Sequence, residues 1–218
     1  EYFKQYYSPN NAVIVAVGDI NPDEVINLVE RYFGDIPSQP PSPKVTTEEP
    51  EQMGERRVYV EYDANPVLLI AYHKPAIGHP DQYVFDVIEA ILSSGRTSRL
   101  YQNLIEDKRI ATMAQAYGGP SKFADTFLFF STPRNPHTAE EVEGAIYEEL
   151  EKLKTTPVPD RELQKIKNQL EADFVRGLES ASGLADKIAS YEAIYGWSYI
   201  NTIVENTLSV TPEDIMRV

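Results

Sequence analysis

Apolar residues recur along this chain with two different periods, and the change from one to the other marks out its elements. "NAVIVAVGD" (11–19) is a short β-branched run closed by Gly18 and reads as a buried strand. Directly after it, Val25, Leu28, Val29 and Phe33 return at helical spacing. Asn21 stands as N-cap, Pro22 as first helical residue and Gly34 as stop. The stretch 38–55 has proline and acid but no apolar period, so it reads as an extended linker. "RRVYVEYD" (56–63) alternates and predicts a strand, and "PVLLIAYHKP" (66–75) a more continuously apolar one. "PDQYVFDVIEAILSSG" (80–95) predicts a helix with proline at its start and glycine past its end, and "SRLYQNLIEDK" (98–108) a second, short helix. "IATMAQAYGG" and "ADTFLFFSTP" read as a strand pair joined through "GGPSKF". The rest is helical: one helix from a capping box at Thr138 and Glu141, one over 160–180, one or two more before residue 209, and a last one opening at Thr211 and Pro212.

That order, ββαα ββαααα, indicates an α+β class with a mainly antiparallel sheet and helices packed on one face. The composition shift divides the chain into 1–37, a linker over 38–55, and a second piece over 56–218. The opening "EYFKQYYSPNNAVIVAVGD" runs helix, turn, strand, and the chain ends on a fresh helix start. This echo suggests two related units, with the tail of one at the beginning and the tail of the other lacking at the end. On that expectation Ala12–Gly18 fills a vacant sheet position, in the same chain or swapped between two chains.

Charge and candidate chemistry narrow the function. The net charge of -14 disfavours nucleic acid and anionic membranes as partners. There is no cysteine, which removes thiolate catalysis, zinc–cysteine sites and disulfides, and no apolar run approaches a membrane span. His73 and His79 lie in a strand-to-helix loop with proline and glycine between them, which does not stack two ligands on one face, and His137 precedes a helix. Ser93, Ser94, Thr97 and Ser98 have neither a nearby histidine nor a nucleophile elbow, and fit helix caps better. "SSGRTS" and "AYGGPSK" lack the phosphate-loop frame. Glu48–Glu49, Glu140–Glu141 and Glu148–Glu149 are neighbours whose side chains diverge on a helix. The residues taken alone predict no catalytic or metal-ligating set in this chain.

Three stretches together resemble a known family. "YYSPNNAVIVAVGDINPDEVINLVERYFGDIP", "SSGRTSRLYQNLIEDKRIA" and "TPVPDRELQKIKNQLEADFVRGLES" with "GLADKIASYEAIYG" are similar, in order, to the insulinase/pitrilysin-type zinc metallopeptidases, which include the mitochondrial processing peptidases. The resemblance implies two related units. The first carries H-x-x-E-H and the zinc, and the second holds no metal and is inactive alone. Zinc is therefore expected in the full-length protein or a partner, not here. The family's second unit supplies an Arg and a Tyr, seven apart, that hold the substrate carbonyl. Those positions fall on Ile105 and Thr112, which depart from the pattern because Ile donates no hydrogen bond and Thr reaches less far than Tyr; Arg109 and Tyr117 are near, at a spacing of eight, and these four are the candidate substrate contacts. Arg96, Arg99 and Tyr101 are expected to order a helix junction. The implied function is the non-metal half of a zinc metalloendopeptidase that helps enclose a peptide, the alternative being a degenerate scaffold subunit. Its partners would be the zinc-bearing half or a paired subunit, a peptide, and a second copy through a dimer or strand swap. The resemblance leaves the compartment open between bacterial periplasm and cytoplasm.

Overall fold

The structure, a computed structural model, describes residues 2–41, 43–47 and 49–218, without the Lys4 side chain. Glu48, of the Glu48–Glu49 pair, lies outside the described residues. The chain divides into two compact units, Glu1–Ala64 and Asn65–Val218.

The first unit contains α1 (Tyr2–Tyr6) and α2 (Pro22–Phe33). The start of α2 follows from local chemistry. The Asn21 side chain accepts a hydrogen bond from the Asp23 N–H at 3.0 Å, and Pro22 sits where no amide donor is needed. The two strands expected in this unit do not form. Among the described residues, 12–18 and 56–63 belong to no strand, and Val58, Val60 and Tyr62 are 82%, 83% and 86% exposed. Alternation sets which side chains share a face, but a strand exists only where a neighbour satisfies its N–H and C=O groups. Among the described residues of its own unit, Ala12–Gly18 forms no strand.

The second unit holds β1 (Leu68–Lys74), α3 (Asp81–Ser93), a π-wound turn (Tyr101–Asp107), β2 (Ala111–Tyr117), β3 (Asp125–Pro133), α4 (Ala139–Thr155), α5 (Asp160–Leu178), α6 (Ala181–Ile194), α7 (Ile203–Ser209) and α8 (Pro212–Arg217). The three strands form an antiparallel sheet in the order β1-β3-β2. Its centre is set by β3, where Ile70 and Ala116 both stand opposite Phe129. Along β3, Phe127, Phe129, Ser131 and Pro133 are buried and the residues between them only half-buried, so one face takes the helices, as the α+β reading expects. β1 differs from its reading as a continuously apolar strand. It lies at the edge, and Leu69 and Tyr72 are exposed. The expected capping box opens α4 at Thr138–Glu141, and the expected N-cap Thr211 opens α8, where Asp214 completes a second box. The core gathers Val87, Ile91 and Leu92 of α3, Leu100 just before the π-wound turn and Leu104 within it, and Val142 and Ile146 of α4.

Candidate functional site

The sequence around Gly95 builds a helix junction. Gly95 takes φ +74°, a conformation that β-carbon-bearing residues avoid, which lets the chain reverse after α3. The Ser98 hydroxyl donates to the Gly95 carbonyl at 2.8 Å. From there the turn is tied to α5. Arg99 grips Glu162 with two hydrogen bonds of 2.8 and 2.7 Å, Lys165 donates to Thr97 and Gln169 donates to Ser94. Asn103 donates to Glu149 on α4. Arg99 thus orders the junction, through a planar two-point pair that an ammonium cannot reproduce. Replacing Arg99 with alanine is expected to lower stability by about 1–2 kcal/mol, and Arg99→Lys to recover less than half of that, read from urea midpoints.

The residues carried over as substrate contacts are dispersed. Ile105 is half-buried against the core. Thr112 is exposed and donates to the Thr132 carbonyl at 3.2 Å. Arg109 has φ +55° and its Nε donates to the Glu106 carbonyl at 3.3 Å. Tyr117 is at the far end of β2, roughly 20 Å of strand from Arg109, with its hydroxyl donating to Gln115. The structure therefore does not bring Arg109 and Tyr117 to one point.

Tyr117 instead lines a half-open cavity of about 480 Å³, closed by α3, β2, α5, α6 and α7. The sequence reading missed it. Gln82, Asp86, Glu89 and Ser93 fall at i, i+4, i+7 and i+11, a single polar stripe on an otherwise apolar helix, and Asp86, Glu89 and Ser93 of that stripe line the cavity. That spacing was the available signal. Gln82 is fully buried and organises the stripe. Its Oε1 accepts from the Lys74 ammonium at 3.0 Å, and its Nε2 donates to Asp86 at 2.8 Å and to the Gly118 carbonyl at 3.0 Å. Glu89 Oε2 accepts from the Gly118 N–H at 2.7 Å. Burial pushes the Asp86 carboxyl up to about 7, aided by the Glu89 charge and opposed by Gln82 and Lys74. Burial likewise raises Glu89, and it lowers Lys74.

No group of three or more His, Asp or Glu among the described residues is placed to hold a metal. His73 stands in β1 opposite Thr126, and His79 Nδ1 accepts from the Asp81 N–H at 3.1 Å. The residues present do not fit a zinc site. Among the described residues no helix is long and apolar enough to cross a membrane.

Residues 1–170 match the family model described as "Peptidase M16 inactive domain". The chain belongs to that family. This M16 inactive domain is 30% identical over 222 residues to the zinc protease PqqE of Helicobacter pylori, aligning all of this chain with 50% of that protein. The crystal structure of a protease from Helicobacter pylori superposes with a TM-score of 0.93 at 30% identity, covering 99% of this chain and 53% of that one. The mitochondrial-processing peptidase subunit beta of Saccharomyces cerevisiae is 21% identical over 231 residues, again 99% of this chain and 50% of the relative. The M16 inactive domain thus spans about half the length of the curated relatives it matches.

Proposed function

We propose that this M16 inactive domain is the non-metal half of a zinc metalloendopeptidase, forming part of the chamber that encloses the peptide. The observation that carries this reading is the alignment of the whole chain with half of a zinc protease. The zinc ligands then lie on the other half, of the same polypeptide or of a paired subunit, with residues 1–37 as the tail of the zinc unit, 38–55 as linker and 56–218 as the second unit. The exposed apolar residues of 56–63 and the open edge at β1 support a covering partner, whether that half or a swapped strand of a second copy. Of the four predicted contacts, Tyr117 is the one this reading keeps against substrate, because it lines the cavity.

Zinc titration and cleavage of an unfolded reporter peptide test the proposal, with this chain alone, with its zinc-bearing partner half alone, and with the two together. The expected result is no stoichiometric zinc uptake and no cleavage by this chain, and hydrolysis that appears or rises when the halves are combined. Tight one-to-one zinc binding by this chain overturns the assignment. A combined pair that binds zinc but never cleaves replaces it with a scaffold.

A further inference from the structure

The cavity bounded by α3, β2, α5, α6 and α7 has a division of character that identifies its ligand. Its volume of about 480 Å³ falls within the range of roughly 300–1,000 Å³ usual for ligand sites. On α3 it presents Asp86 and Glu89, one helical turn apart. Each carboxylate uses one oxygen inside the protein, Asp86 Oδ1 on Gln82 and Glu89 Oε2 on the Gly118 N–H. Both residues line the cavity, and no buried side-chain oxygen among the described residues is left without a partner. The lining also has apolar side chains: Leu170 and Phe174 of α5, Ile203 and Leu208 of α7.

Carboxylates one turn apart beside an apolar wall suit an elongated cation with an aliphatic stem and a flat, multiply donating head. A guanidinium meets that description, since it presents paired donors in a fixed plane and sheds water more readily than an ammonium. We propose that the cavity binds the arginine side chain of a peptide, its guanidinium on Asp86 and Glu89 and its stem along Leu170 and Phe174. That the natural ligand is a peptide rests on the chamber reading above; the cation chemistry of the cavity does not.

The charges around the pair agree with this. Lys74 of β1 is buried and donates to Gln82, which in turn donates to Asp86, and its ammonium is shared among the charges of Asp125, Asp86 and Glu89. Glu171 and Asp173 of α5 add negative charge to the lining. Lys187 of α6 is the opposing group. Its ammonium lies 5.7 Å from the centre of the Phe174 ring, and it competes with an incoming cation. Because Asp86 titrates near 7 when the cavity is empty, binding should tighten as pH rises from about 6 to about 8.

The test is an NMR titration of the isotopically labelled full chain with acetyl-Gly-Arg-Gly-amide, beside the same peptide with citrulline, which keeps the shape and loses the charge. The arginine peptide is expected to give saturable shifts at amides of 86–90, 115–119 and 170–174, and the citrulline peptide none. Asp86→Asn and Glu89→Gln are each expected to weaken binding by at least about tenfold, while Lys187→Ala tightens it. Both amide variants retain the oxygen that accepts the internal hydrogen bond, and a dispersed spectrum confirms each fold, so loss of one to misfolding leaves the other to decide. Equal binding of the citrulline peptide, or unchanged affinity in the folded variants, overturns the proposal. So does failure of the arginine peptide to saturate, an outcome that leaves the chamber reading to be judged by the cleavage assay on the combined halves.

Discussion

Phe129→Ala is expected to cost about 3–5 kcal/mol, the largest loss from a single truncation in this chain, and to lower the melting temperature by about 10 °C. Phe129 is 1% exposed on the central strand, and both edge strands register against it, with Ile70 on one side and Ala116 on the other. Its ring meets Phe127 nearly edge-on at 5.4 Å and Tyr72 at 6.2 Å. The backbone around it is locked into two ladders, so the site cannot collapse, and the vacated volume stays as a cavity. Phe130 is the control. It is one residue along, on the opposite face and half-buried, and its truncation is expected to cost under about half as much. Urea unfolding followed by circular dichroism measures both. Equal losses would mean that β3 does not present one face to the helices.

The second large effect depends on pH. Asp86 ordinarily ionises near 3.8, and burial, with Glu89 beside it, moves it to about 7 in the folded protein. The folded state therefore binds a proton that the unfolded state has released between about pH 4 and 7, and stability falls across that window as pH rises. Below the window both states hold the proton and Asp86 costs nothing; above it, the ionised carboxylate is carried in a desolvated site. Asp86→Asn keeps an oxygen for the Gln82 N–H and removes the charge. The variant should match the parent near pH 4 and exceed it by on the order of 3–4 kcal/mol above about pH 8. Unfolding midpoints at the two ends of the range are the measurement. A difference that does not change with pH would show that the carboxyl is not held high. The same residue is thus unfavourable for the empty fold and favourable for a bound cation, the stability–function opposition expected where a charge is kept for binding.

These two results concern features with different histories in the sequence. The helix starts were legible because each is closed within three residues: Asn21 with Asp23, Thr138 with Glu141, Thr211 with Asp214. The β2–β3 hairpin was legible for a related reason, since its strands are neighbours and their alternation matches the faces they bury. Residues 12–18 and 56–63 carry equally good strand patterns and form no strand, because pattern alone does not provide a partner. At the Gly95 junction the sequence indicated a turn rich in hydroxyls and arginines, but Arg99 meets Glu162 from 63 positions away. The polar stripe of α3 was present in the chain as spacing, but spacing alone does not say what covers it.

The sequence by itself determined the helices and their caps, the hairpin, the absence of cysteine chemistry and the family, since these depend on residues close together or on order along the chain. The tertiary structure alone decided that β1 is an edge of its sheet, that 12–18 and 56–63 form no strand among the described residues, and that Asp86 and Glu89 line a cavity. The physical reason is that hydrogen-bond pairing and desolvation are conferred by groups distant in sequence: α5, α6 and α7 enclose the carboxylates of α3 only once the chain has packed.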